Sequence, residues 1–179
     1  MLAAAGTPNL WNQFLTASVA GLVTAALYAI AASGLVVTYT TSGVFNFAHG
    51  AFGMMAAFTY WQFTEGWGLP IWLSLLLVVG VVAPVFGGIV EKGLMRGLEG
   101  TSELIKLVVT VSLLLALIGL APVIWDPTIA RSVPEFFPDS DPITIAGVGI
   151  SIHRIIIFVA AGLVAVFLRL FLYNTRTGI

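Results

Sequence analysis

The chain of 179 residues is 59% hydrophobic and only 8% charged, with a net charge of −1 and a mean hydropathy of +1.07. A soluble domain has about a quarter of its residues charged, so the composition excludes one and requires lipid as the solvent. The near-neutral balance gives no basic footprint for nucleic acid, and the absence of cysteine excludes disulfides, thiolate metal sites and cysteine nucleophiles.

The length fits a single domain, residues 1–179. Met1 to Asn9 contains no Lys or Arg, and no charged side chain occurs from Leu2 to Thr64. The apolar run is therefore too long, and its start too neutral, for a cleaved signal. A first membrane helix is predicted from Trp11 to about Tyr39. Ala17, Gly21, Ala25, Ala29 and Ser33 recur at every fourth position, a seam that allows a neighbouring helix to approach closely.

Thr38, Thr40, Thr41, Ser42 and Gly43 lower the hydropathy without adding charge, which predicts a turn or an unwound segment with hydroxyls serving the freed backbone groups. The next stretch, Gly43-Val44-Phe45-Asn46-Phe47-Ala48-His49-Gly50, sets an amide and an imidazole in the middle of this uncharged run. Asn46, His49, Gly50 and Gly53 stand at i, i+3, i+4 and i+7, one small hydrogen-bonding face of a helix that should look inward, away from lipid. An amide and an imidazole at membrane depth need partners, and mark either a structural node or a solute pathway. Asn46 can cap a break in the helix with His49 serving nearby carbonyls, or both can meet a permeating solute; Thr38 and Ser42 are further candidates for that pathway.

A second helix is expected from about Phe47 to Phe63, ended by Glu65-Gly66-Trp67-Gly68-Leu69-Pro70. The third, from about Ile71 to Val90, contains Pro84 and Gly87-Gly88 and should kink or admit a close neighbour. A charged loop follows, with Lys92, Arg96 and Lys106 as its cations. Such a cluster marks the cytoplasmic side. The fourth helix spans about Leu104 to Ile124. Asp126 to Asp141 is acidic and rich in proline, hence irregular and external, and the alternation in Ile143–Ile152 about a Gly turn predicts a small hairpin. The fifth helix runs from about His153 to Tyr173, with Arg169 able to reach the interface by its stem and His153 expected as an exposed boundary residue. The fold class is thus all-α, a polytopic membrane helix bundle of about five transmembrane helices with a small external loop or β-hairpin around 126–152.

Counting crossings back from the cationic loop puts Glu65–Pro70 outside, Thr40–Val44 inside and the N-terminus outside. Trp11, Trp61, Trp67, Trp72 and Trp125 then fall near the outer interface, where indoles concentrate. A re-entrant Asn46 segment would reverse the side of the N-terminus.

The run Leu27-Tyr28-Ala29-Ile30-Ala31-Ala32-Ser33-Gly34-Leu35-Val36-Val37-Thr38-Tyr39, followed by Gly43-Val44-Phe45-Asn46-Phe47-Ala48-His49-Gly50-Ala51-Phe52, resembles the N-terminal signature of branched-chain amino acid ABC transporter permeases. Glu91-Lys92 and the closing Asn174-Thr175-Arg176-Thr177-Gly178 extend the likeness. The resemblance implies the N-terminal part of a longer inner-membrane permease that imports leucine, isoleucine or valine. It implies as partners a second permease subunit, cytoplasmic ATP-binding subunits and an external solute-binding protein. No cofactor is expected in this chain, since it has no Walker-type phosphate loop; ATP belongs to the partner subunits. Permeases for urea and short amides carry a similar box and leave the substrate open. Two readings from other classes are a passive amide channel and an intramembrane enzyme using His49, the latter opposed by the lack of a second titratable group in any predicted membrane core.

Overall fold

The structure is a computed structural model and describes residues 9–98, 100–137, 140–145 and 148–174. Among them the chain forms α1 (Leu10–Ser42), α2 (His49–Trp61), α3 (Ile71–Leu77), α4 (Ala83–Val90), α5 (Glu103–Ile124) and α6 (Ile152–Asn174), with one hairpin of β1 (Ile143–Ile145) and β2 (Val148–Ile150). The protein is an all-α, multi-pass membrane protein. Leu10–Thr40, Ile71–Leu98, Glu103–Ile124 and Ile152–Leu170 are each long and apolar enough to cross a bilayer. The remaining predicted crossing, α2, continues through a widened π-turn at Gln62–Gly66. At 1.5 Å per residue the two stretches are about 27 Å long, close to the ~30 Å of hydrocarbon, but His49, Gln62 and Glu65 make them less apolar than the other four.

The residues form two compact units, Met1–Gly34 with Glu135–Ile179, and Leu35–Pro134. In the first, α1 buries Val23 and Ala26. The small-residue seam lies elsewhere on the helix: Ala17, Gly21, Ala25 and Ala29 are exposed, and half-buried Ser33 donates its hydroxyl to the Ile30 carbonyl at 2.7 Å. The antiparallel hairpin pairs Ile143 with Ile150 and Thr144 with Gly149; Gly147 of its predicted turn lies outside the described residues. His153 is not the exposed boundary residue expected of it. The Phe136 backbone N–H donates to His153 Nδ1 at 3.3 Å, and the two rings stack with centroids 5.8 Å apart, which fastens the acidic segment to the start of α6. Arg169 is exposed near the end of α6, and Thr175–Gly178 of the closing motif lie outside the described residues.

In the second unit the hydroxyl-rich segment does not unwind. α1 stays helical to Ser42 because Thr38 Oγ1 donates to the Leu35 carbonyl at 3.0 Å and Thr40 Oγ1 to the Val36 carbonyl at 2.9 Å, so these hydroxyls are satisfied within the helix that was expected to end at them. The break comes at Gly43, whose φ of 66° is costly for residues with a Cβ.

The third crossing is continuous but irregular. A π-turn at Val78–Val82 precedes Pro84, and a second at Glu91–Met95 leads through a 3₁₀ turn at Arg96–Leu98. Pro84 has no N–H to give its preceding turn and its ring crowds the carbonyl there, and the wider turn accommodates both. The cationic residues consequently do not sit on a loop. Lys92 and Arg96 extend the helix to Leu98, and Lys106 lies in the first turn of α5.

Candidate functional site: a cavity beside the Asn46 turn

Between Gly43 and α2 the backbone is held by its own side chain. Asn46 Oδ1 accepts from the Ala48 N–H at 3.0 Å, and the His49 N–H donates to the Asn46 carbonyl at 3.1 Å. This is an Asx-type turn that leads the chain into α2. Asn46 therefore stands before the helix and not on it, so the i, i+3, i+4, i+7 strip read from Asn46 does not exist as one face. The inward face of α2 is set by Ala48 and Ala51, 0% and 3% exposed. Gly50 and Gly53 are exposed, and a Cβ built on either meets no atom within 4 Å, so packing among the described residues uses the alanines.

A cavity of about 850 Å³ opens beside this turn, formed wholly within the second unit. Thr38, Asn46 and His49, three of the four predicted pathway residues, border it. Ser42, the fourth, ends α1, and its side chain is outside those described. From α2 the cavity takes His49, Phe52, Met55, Ala56 and Thr59, spaced by threes and fours along one helical face. That stripe is the face of α2 that borders the cavity, and its periodicity is visible in the sequence once the count starts at His49 in place of Asn46.

The opposite wall comes from Val82, Phe86 and Val90, with the Phe52 and Phe86 rings edge to face at 5.3 Å. Such pairs add to the burial of the rings themselves. At one end stand Glu91, Arg96 and Lys106. The sequence marks the two cations only as indicators of topology, so their share in the cavity was missed. The volume is within the range of small-molecule sites, as is the mixture of apolar walls with a few polar groups.

The far end of α2 meets the end of α5. Trp125 Nε1–H donates to Gln62 Oε1 at 3.2 Å, and Phe58 stacks on Trp125 with centroids 5.1 Å apart. Arg131 lies over the Trp61 ring at 4.7 Å and donates to the Asp126 carbonyl at 2.6 Å. Asp126 in turn accepts from the Thr128 backbone N–H at 2.9 Å and from its hydroxyl at 2.7 Å. These two bonds hold its carboxyl below the usual carboxylate range against desolvation, with the positive charge of Arg131 as the smallest contribution. Since α2 begins at the charged end of the cavity and finishes at the Trp125 end, it runs the length of this unit in the same direction as α5, which it contacts directly. Trp61 and Trp125 share that far end, with Trp67 beside them, stacked on Phe63 at 4.8 Å.

Comparison with known proteins identifies the family. The high-affinity branched-chain amino acid transport system permease protein BraD of Pseudomonas aeruginosa is 29% identical over 181 residues, an alignment that covers 96% of this chain and 58% of BraD. The chain thus spans somewhat over half the length of that curated relative. No solved structure matches it. Residues 17–179 match the family described as the permease component of branched-chain amino acid transport systems, and the chain, rich in helices that can cross a membrane, belongs to that family.

Proposed function

We propose that the chain is the membrane-spanning permease subunit of an ATP-driven ABC importer in the plasma (inner) membrane, with leucine, isoleucine and valine as solutes, and that the cavity of the second unit is part of the translocation pathway. The observation that carries this reading is the convergence of Thr38, Asn46 and His49 on one cavity whose walls are largely apolar, with Glu91, Arg96 and Lys106 as its charged residues. An apolar wall suits an aliphatic side chain, and the few polar groups orient the rest of the molecule. The Asn46 oxygen is engaged with Ala48, which leaves its amide nitrogen as the group able to donate to a passing solute.

By the rule that cations collect on the cytoplasmic side, the end with Lys92, Arg96 and Lys106 faces inward and the Trp125 end outward. The cavity then opens toward the cytoplasm while the Gln62–Trp125 contact closes the other end. Counting crossings back from the cationic end puts the N-terminus outside. The energy for alternating access comes from cytoplasmic ATP-binding subunits. A second permease subunit and an external solute-binding protein complete the assembly. The exposed seam of Ala17, Gly21, Ala25 and Ala29, with Gly50 and Gly53, suits close approach by another helix of that assembly.

The test is uptake by the full-length protein reconstituted with its partner subunits in vesicles. Leucine should accumulate only with ATP, and Ala56→Trp, which places an indole in the cavity, should abolish uptake while the assembly remains intact. Uptake that survives Ala56→Trp, or flux that needs no ATP, overturns the reading.

A further inference from the structure

The charged end of the cavity carries more than a topological signal. Glu91 and Arg96 are five residues apart, and on an α-helix at about 100° per residue they would lie about 140° round from each other. They do not lie on an α-helix. The turn from Glu91 to Met95 is a π-turn in which the Arg96 N–H donates to the Glu91 carbonyl, and the wider turn brings residues five apart toward one side. Both border the cavity, and Lys106 reaches it from the first turn of α5. A π-turn costs regular helix geometry and is found mostly where a site needs its side chains placed.

The cavity therefore presents one carboxylate and two cations at an end, and Phe52, Met55, Phe86 and Val90 along the walls. We propose that this end is a zwitterion clamp: Glu91 receives the ammonium and Arg96 with Lys106 the carboxylate of an α-amino acid, whose aliphatic chain lies against the apolar walls. This rests on the reading of the cavity as the pathway and selects the solute class within it. A guanidinium presents paired N–H donors that fit a carboxylate. A neutral amide such as urea has no full charge for either sign at the rim and gains neither charge-assisted contact, so the discrimination comes from what the zwitterion gains. The same residues also explain why the charges are of mixed sign, which the topological rule does not require, since that rule concerns Lys and Arg alone.

The experiment uses the reconstituted full-length complex and four solutes: leucine, leucinamide, which lacks the carboxylate, 4-methylpentanoate, which lacks the ammonium, and urea. Glu91→Gln and Arg96→Gln should each raise the KM for leucine at least about tenfold, the loss of one charge-assisted hydrogen bond. Their selectivity should change in opposite ways. Arg96→Gln narrows the preference for leucine over leucinamide and leaves that over 4-methylpentanoate; Glu91→Gln does the reverse. A purely structural role lowers all solutes together, and that result overturns the clamp.

A second measurement does not depend on those variants folding. The chain has no cysteine, so Ala56→Cys provides a single thiol on the cavity wall for maleimide labelling in the complex without its binding protein. Leucine should protect this thiol while urea and 4-methylpentanamide do not. Equal protection by the neutral amides overturns the clamp but leaves the pathway intact. Labelling that no solute alters, together with uptake that survives Ala56→Trp, removes the pathway itself and the clamp with it.

Discussion

The hydrogen bond from Trp125 Nε1 to Gln62 Oε1 joins residues 63 apart in sequence, and it can be weighed apart from the stacking that surrounds it. Trp125 is 8% exposed and its indole lies on Phe58 with an interplanar angle of 17°. Trp125→Phe keeps an aromatic ring on Phe58 and removes only the N–H donor. Between membrane helices such a bond contributes about 0.6 kcal/mol on average and up to ~1.7, and loss of the donor strands Gln62 Oε1 in a partly buried site, so the expected cost is about 1 kcal/mol. Trp125→Ala also removes the stack, at about 0.5–1.5 kcal/mol, and empties a buried volume; the total should be about 3–5 kcal/mol. The assay is reversible unfolding of the full-length protein in mixed micelles, run as a double-mutant cycle of Trp125→Phe with Gln62→Leu. A coupling energy of about 0.5–1.5 kcal/mol is expected for residues in contact. Strict additivity, or equal losses for Trp125→Phe and Trp125→Ala, would refute the assignment of this hydrogen bond as the link between the ends of α2 and α5.

Gly66→Ala should weaken the same contact from a distance, because a Cβ at Gly66 collides with the side-chain amide of Gln62; indole fluorescence near Trp125 should shift, and the substitution should add nothing once Gln62→Leu is present. Asn46→Ala removes the acceptor for the Ala48 N–H and should cost about 1 kcal/mol, the net loss for one such hydrogen bond, whereas Asn46→Asp keeps the acceptor and should cost less; thermal unfolding of the two variants separates them. Asp126 has its carboxyl held low by Thr128 and Arg131, so its contribution to stability is full above the ordinary carboxylate pKa, near 4, and fades as pH falls through its depressed folded value. Acid titration of the unfolding midpoint should reveal that loss in the wild type and not in Asp126→Asn.

The crossings were legible because hydropathy and charge act on whole segments. Glu91, Lys92, Arg96 and Lys106 gather at one end and Trp61 and Trp125 at the other, as a charge's preference for water and an indole's for the interface require. Register was less legible. The strip counted from Asn46 assumes that one helix runs through Asn46 and Gly53, but the turn at Asn46 restarts the count at His49 and exchanges Gly50 and Gly53 for Ala48 and Ala51 on the inward face. Thr38 and Thr40 misled for a related reason. A hydroxyl in an apolar helix signals a break only if nothing nearby accepts its proton, and here the carbonyls of Leu35 and Val36 do. The π-turns left only a partial trace: Pro84 announces an irregularity without giving its form, and no residue pattern announces the turn at Glu91. The contact of Gln62 with Trp125 arises from tertiary packing, which local periodicity does not encode.

The break between α1 and α2 follows one physical economy. A gap in a helix within or near lipid leaves N–H and C=O groups that water cannot serve, each at a cost of several kcal/mol. The chain closes this gap with its own atoms: the Gly43 N–H donates to the Tyr39 carbonyl at 2.8 Å, the Ala48 N–H to Asn46 Oδ1, the His49 N–H to the Asn46 carbonyl, and the Phe52 N–H to the Ala48 carbonyl at 3.1 Å. Only a residue without a Cβ takes the φ of 66° at Gly43 cheaply, and only a short side chain with an acceptor two atoms beyond Cβ can reach back at Asn46. The bonds that close the gap are made by the backbone and by Asn46 Oδ1, while His49 borders the cavity. Substitution at His49 should accordingly alter solute handling with little loss of stability, whereas substitution at Gly43 should do the opposite. Gly43→Ala carries a penalty of about 1–2 kcal/mol from the left-handed backbone alone, and a variant pair measured for both unfolding midpoint and leucine KM separates the two roles. Equal effects of His49→Ala and Gly43→Ala on both quantities would mean that turn and cavity are one indivisible structure, and that the division argued here does not hold.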